Sequence, residues 1–371
     1  MQTSIFLDDL DGYHPRADLR KVELSYEPSW RYGGGEEEVV SRAQVAKMLG
    51  LADPKDFVPL LGRGVPVQEM LEAHAFQEMF PSGRQQVLTL STEGSWVDRG
   101  MSKWQALGVR HGSIALDRRG QLTAEVLLQH LTPRTSLVSL SWAHPTIATI
   151  HPIEEIARIC DERGIFCHVD ISALIGKMYW DIKSTKIDYV TFEARNFQGF
   201  DGVGGIVFQN KAQKPSWLLE QKSPWALQAM VKALEAAEER VDTVHLEGAR
   251  LKNLLEKLLT QAIPCARVLF QEVERLPHVA VVAFPYVEAE YMLYLLAQEK
   301  LYLSMGGGEH KLLSQVLKTA QVDAALAACA IVFALSCDTT EEEVREAVSR
   351  VVKVYERVKH LGEDLVHVDT L

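Results

Sequence analysis

Short apolar runs alternate with helically spaced segments along much of this chain. FVPLL, QVLTL, SLVSLSW, IFCHV and DYVTF are nearly continuous in apolar and β-branched residues, as strands covered on both faces are. Between them, VPVQEMLEAHAFQEMF, LTAEVLLQHL and IEEIARICDERG repeat apolar positions every three to four residues and predict helices. Residues 36–50, EEEVVSRAQVAKMLG, have the same spacing at Val39/Val40, Val45 and Leu49, with Gly50 as a stop. Pro66 suits a first helical turn, where its missing N–H costs nothing. Further strands are expected at SIALD, residues 113–117, and at GVGGIVF. Strands alternating with helices from residue 57 to residue 208 predict an α/β fold with a largely parallel sheet.

From Trp225 to Leu259 one long helical pattern runs unbroken, with Gly248 as an expected kink. The texture then changes to shorter pieces: RVLF, HVAVVAF, EAEYMLYLLAQE, LYLS and ACAIVFALS. The last helix opens on Thr340-Glu341-Glu342-Glu343, a capping-box pattern, and carries Val344, Val348, Val351 and Tyr355 as a buried stripe. The expected organisation is an N-terminal arm over 1–22, a large α/β domain over 23–259 and a small C-terminal α+β domain over 260–371.

Composition narrows the functional classes. The chain has 371 residues, 47% hydrophobic and 24% charged, enough for a sizeable core and more than one domain. A net charge of −11, with lysine and arginine interleaved among acids, argues against a nucleic-acid partner. MQTSIFLDDLDGYHP has no basic stretch ahead of an apolar core, so no secretory leader is expected, and no run is long enough for a membrane helix. Cys160, Cys167, Cys265, Cys329 and Cys337 form no C-x-x-C pair, which suits reduced thiols in a cytoplasmic protein without a metal site.

The stretch RHGSIALDRRGQLTAEVLLQHLTPRTSLVSLSWAHPTIATIHPIEEIARICDERGIFCHVD, followed later by CDTTEEEVREAV, resembles the cysteine desulfurase branch of the class V, fold-type I aminotransferases. The likeness is best over residues 110–210 and 330–360. It implies a mainly parallel seven-stranded sheet in the large domain, a smaller C-terminal domain, a dimer and pyridoxal phosphate as cofactor. It also implies a lysine that tethers the cofactor, after the strand YVTFEA. That position is Asn196, in TFEARNFQGFDGVGG, and an amide nitrogen is no nucleophile.

Other matched positions differ as well. The serine and histidine that grip the phosphate correspond to Glu193 and Arg195. A carboxylate facing a phosphate costs about 4 kcal/mol at ~4 Å, so a Glu193–Arg195 pair filling that place is expected. The glycine turn is kept as Leu60-Leu61-Gly62-Arg63-Gly64-Val65, where Gly62 and Gly64 can still offer N–H groups to an anion beside Arg63. The ring-stacking histidine corresponds to Gly94, the asparagine near the ring hydroxyl to Pro145, the glutamine after HVD to Ala173 and the substrate-clamping arginine to Val332. LYLSMGGGEHKLLS has no cysteine where the sulfur-accepting one belongs, and QNKAQKPSWLLEQKSP is too short for the segment that contacts a neighbouring subunit. Asp170, which the resemblance sets against the pyridine nitrogen, and His168 are kept.

The expectation is therefore a catalytically inactive relative with no cofactor, acting by binding or by pairing with a copy of itself or a related subunit. Asp170, His168, Gly62, Gly64 and Arg195 would form its remaining pocket. One alternative is an enzyme that binds pyridoxal phosphate or a small anion without a covalent tether. Another is a pocket rebuilt for a different ligand, lined by Arg63, Trp96, His144, His168 and Arg195.

Overall fold

The computed structural model describes residues 4–8, 36–218 and 223–368. Apart from 4–8, the expected arm over 1–22 lies outside the described residues, as do positions 219–222 of the segment QNKAQKPSWLLEQKSP. In chain order the elements are β1 (Ile5–Phe6), α1 (Glu36–Met48), β2 (Phe57–Leu61), α2 (Val65–His74), β3 (Gln86–Leu90) and α3 (Ser95–Gln105). Next come β4 (Arg110–Ile114), α4 (Ala124–His130), β5 (Thr135–Ser141), α5 (Ile153–Glu162), β6 (Phe166–Asp170), β7 (Tyr189–Glu193) and β8 (Val203–Phe208). The chain continues through α6 (Pro224–Ala262), β9 (Arg267–Val268), β10 (Val279–Ala283), α7 (Ala289–Gln298) and β11 (Leu301–Tyr302). It closes with α8 (Leu313–Thr319), α9 (Ala324–Ala328), β12 (Ala330–Ala334) and α10 (Glu341–Val368).

The seven-stranded sheet has the order β2-β8-β7-β6-β5-β3-β4. Only β8 runs against its neighbours; the remaining pairs are parallel. Successive side chains leave a strand on opposite faces, and each face has its own core. Leu88, Val138 and Val190 pack with residues of α5 and α6 on one side. Val87, Leu137 and Tyr189 pack with Met70, Leu71 and Trp104 of α2 and α3 on the other. Each such side chain contributes about 1.5–3 kcal/mol by leaving water.

A three-stranded antiparallel sheet, β12-β10-β9, follows. Val279, Val281 and Ala283 of β10 face the first core, whereas Ala280 and Val282 join a third cluster with Leu251, Leu255, Phe333 and Tyr355. The Thr340 capping box forms: its N–H reaches Glu343 Oε2 at 2.9 Å, and Glu343 N–H reaches Thr340 Oγ1 at 3.2 Å. One expectation needs correction: β4 occupies 110–114 rather than 113–117, because only Ile114 of this sheet-edge strand is buried and apolar residues do not mark the rest. α6 runs on through Gly248 as one helix, since one glycine costs a helix only about 1 kcal/mol.

Candidate functional site

The carboxyl ends of β3, β5, β6 and β7 meet at a cavity of ≈ 120 Å³, the edge of a parallel sheet at which α/β proteins bind ligands. Asp170 closes β6 there. Its Oδ2 accepts the Thr191 hydroxyl at 2.7 Å and its Oδ1 accepts the Ser172 N–H at 3.0 Å. Since the Thr191 proton goes to Asp170, Thr191 Oγ1 must accept from His168 Nε2, 2.9 Å away. His168 Nδ1 then accepts from Ser139 Oγ at 2.8 Å. A directed chain thus crosses three adjacent strands from Ser139 to Asp170. Burial pushes His168 down to about 3, so it orients Thr191 as a neutral ring. Burial also raises the Asp170 carboxyl, against the Thr191 and Ser172 bonds that favour its charge.

The glycine turn lies at the next corner. Gly62 and Gly64 both adopt left-handed backbone, at φ +117° and +68°, and a Cβ on Gly64 would stand 2.4 Å from the Trp96 ring. The Gly64 N–H is not open to an outside anion: it donates to Glu193 Oε1 at 2.6 Å. Arg195 Nε lies 3.4 Å from Glu193 Oε2, but the guanidinium makes its closest contact with Glu309 Oε2. Arg63 turns outward to Asp201, at 2.7 Å, and to Glu309 Oε1, at 2.9 Å. Trp96, His144, His168 and Arg195 line one cavity, and Arg63 does not.

Asn196 is buried on the short helical turn Ala194–Phe197 that follows β7 and borders the cavity. No lysine is among the residues that line it. Gly94 admits no side chain because the main chain of Glu309 occupies the place: a Cβ would lie 2.9 Å from the Glu309 carbonyl, which caps α3 by accepting Ser95 N–H at 2.9 Å. Pro145 and Ala173 line the wall, whereas Val332 is buried within β12, away from it.

Sequence reasoning missed Glu93 and Glu309. Glu93 Oε1 accepts Ser141 N–H at 2.8 Å, and burial lifts its carboxyl from 4.5 to about 7. Glu193 is lifted equally, to about 7, by burial against the Gly64 and Arg195 contacts. The one signal for Glu309 is the run Gly306-Gly307-Gly308, all at positive φ, which turns the chain sharply just before it.

Comparison with known proteins places these features in context. The family model described as aminotransferase class V matches residues 41–223. A cysteine desulfurase of Bradyrhizobium diazoefficiens is 30% identical over 303 residues, 78% of this chain and 76% of that one. The human cysteine desulfurase is 25% identical over 349 residues, 89% of this chain and 75% of the relative. Among solved structures, a NifS-like protein superposes with a TM-score of 0.84 at 22% identity, covering 95% of this chain and 100% of the other. A NifS-like protein from Rickettsia africae gives 0.79 at 17% identity over the same shares.

These relatives correct the expectation that no cofactor is bound, because they point to a pyridoxal-phosphate-dependent family. The cavity fits a polar ring at its Asp170 end. Thr92 Oγ1, Trp96 Nε1 and Asn196 Oδ1 are buried on its wall without hydrogen-bond partners, as groups awaiting a ligand are. At the Gly64 end, Glu193 must give up the N–H before a phosphate can take it.

Proposed function

The chain belongs to the class V aminotransferases, in their cysteine desulfurase-like branch, and from that premise we propose a member that has left the desulfurase reaction. In this reading it holds pyridoxal phosphate without a covalent tether and acts as a binding subunit, paired with a copy of itself or a related chain in the cytoplasm. The carrying observation is the buried amide of Asn196 beside a cavity whose lining includes no lysine. When bound, the group supplies an electron-withdrawing ring, which without an amine anchored beside it has no covalent partner on the protein.

The chain's own residues do the rest. Asp170, held by Thr191 and Ser172, would be the group to hold a proton against a ring nitrogen. The neutral His168 keeps Thr191 donating to that carboxyl. Gly64 N–H would serve a phosphate once the Glu193 side chain swung off it, with Arg195 beside it as the cation. Among the described residues no helix is long and apolar enough to cross a membrane.

Borohydride reduction of the protein with pyridoxal phosphate, followed by intact-mass measurement, tests the reading. The parent chain is expected to bind by calorimetry and gain no mass; Asn196→Lys is expected to gain one pyridoxyl group. A pyridoxyl adduct on the parent, or alanine formed from cysteine, overturns it. Light scattering reads the pairing.

A further inference from the structure

A second cavity, of ≈ 50 Å³, borders the other wall of the Ala194–Phe197 turn; it is lined by Lys177, Gln198, Arg240, His278 and Cys337 and shares Asn196 with the first. Cys337 is half-buried. Its sulfur is approached by Gln198 Nε2 at 3.3 Å and Arg240 Nη1 at 3.5 Å. Amide and guanidinium nitrogens only donate, so the sulfur accepts from both. Two fixed donors, one of them charged, hold the sulfur at the cavity wall with a lone pair left for reaction.

The other cysteines differ. Tyr355 spends its single proton on the Pro285 carbonyl at 3.0 Å, so the Cys265 S–H, 3.0 Å from the Tyr355 oxygen, donates to it and the sulfur accepts nothing there. Cys160 and Cys167 are fully buried. Burial raises the Cys329 thiol. A separate observation points to an occupant for the cavity beside Cys337. His278 is only 3% exposed, lines this cavity and not the first, and its Nδ1 has no hydrogen-bond partner. Burial first, then Lys177 and Lys252, keep the ring neutral. The space admits a molecule of about water size; much of its wall is apolar, from Ile175, Phe197, Ala236, Val244 and Leu335, so its few polar groups would fix the orientation of what enters.

We propose that Cys337 is an oxidation site for hydrogen peroxide, with Gln198 and Arg240 positioning the sulfur and His278 holding the peroxide. The sulfur attacks one peroxide oxygen; an S–O bond forms and the O–O bond breaks. Sulfur is oxidised by two electrons to a sulfenic acid, and peroxide is reduced. The departing hydroxide, released beside Arg240 and Lys177, takes up the thiol's proton and leaves as water.

The full chain treated with limiting hydrogen peroxide and a 1,3-dione that traps sulfenic acids, then peptide-mapped, reads the site. Cys337 is expected to be labelled before Cys160, Cys167, Cys265 and Cys329. With folding checked by circular dichroism, Arg240→Met is expected to slow labelling about tenfold, whereas Arg240→Lys retains most of the rate. His278→Leu is expected to slow peroxide while leaving alkylation by iodoacetamide unchanged. Labelling of Cys265 or Cys329 as fast as Cys337, no effect of Arg240→Met, or an equal loss of both reactions in His278→Leu overturns the proposal. The parent chain's cysteine ranking needs no variant and stands if one fails to fold.

Discussion

Burial lifts the carboxyls of Glu93 and Glu193 from 4.5 to about 7. An acid whose folded value lies above its unfolded one gains a proton on folding between the two. Its neutral form suits the fold fully below about 4.5, and stability is lost as pH climbs from there through about 7. Glu93→Gln keeps an acceptor for the Ser141 N–H without the charge. Denaturant titrations are expected to show the variant gaining about 1–3 kcal/mol on the parent between pH 5 and pH 8; an unchanged difference would contradict the burial account. The residues at sequence-matched strand ends, Asp170 and Glu193, were legible because neighbouring strands fix where a strand stops. Glu309 was not, being 114 positions from its partner Arg195 and brought there by the return of a distant loop.

At the level of elements, periodicity located what packing then used. The strands covered on both faces, β5 to β7, read as apolar runs because water touches neither side. β4 was misplaced for the opposite reason: it borders solvent, so its residues RHGSI carry little apolar signal. The start of α10 was written locally, in a threonine and a glutamate three residues apart that satisfy each other's N–H groups. Thr340→Ala is expected to cost about 0.5–2 kcal/mol, with the loss read as a lower urea midpoint at constant slope. A loss below a few tenths would mean that packing of Val344 and Val348 alone fixes that end.

On the scale of the whole molecule, the loop after β11 reaches back to the large sheet. Glu309 binds Arg195 and Arg63 with its carboxylate and caps α3 with its carbonyl. Glu309→Gln retains the cap and weakens both ion pairs, with an expected loss of about 1–3 kcal/mol. Faster amide exchange at Ser95 and over residues 304–312 would show the loop loosened; unchanged exchange would show the contacts idle. No sequence periodicity announces such a reach, because it depends on how two packed regions face each other. α6 joins those regions more firmly. Its 39 residues span about 58 Å and give Leu227, Met230 and Leu234 to one core and Leu251, Leu255 and Leu259 to the other. A rod shared in this way leaves no seam along which either half can melt alone: scanning calorimetry should record one heat-absorption peak, and a protease cut near Gly248 should collapse both halves at once.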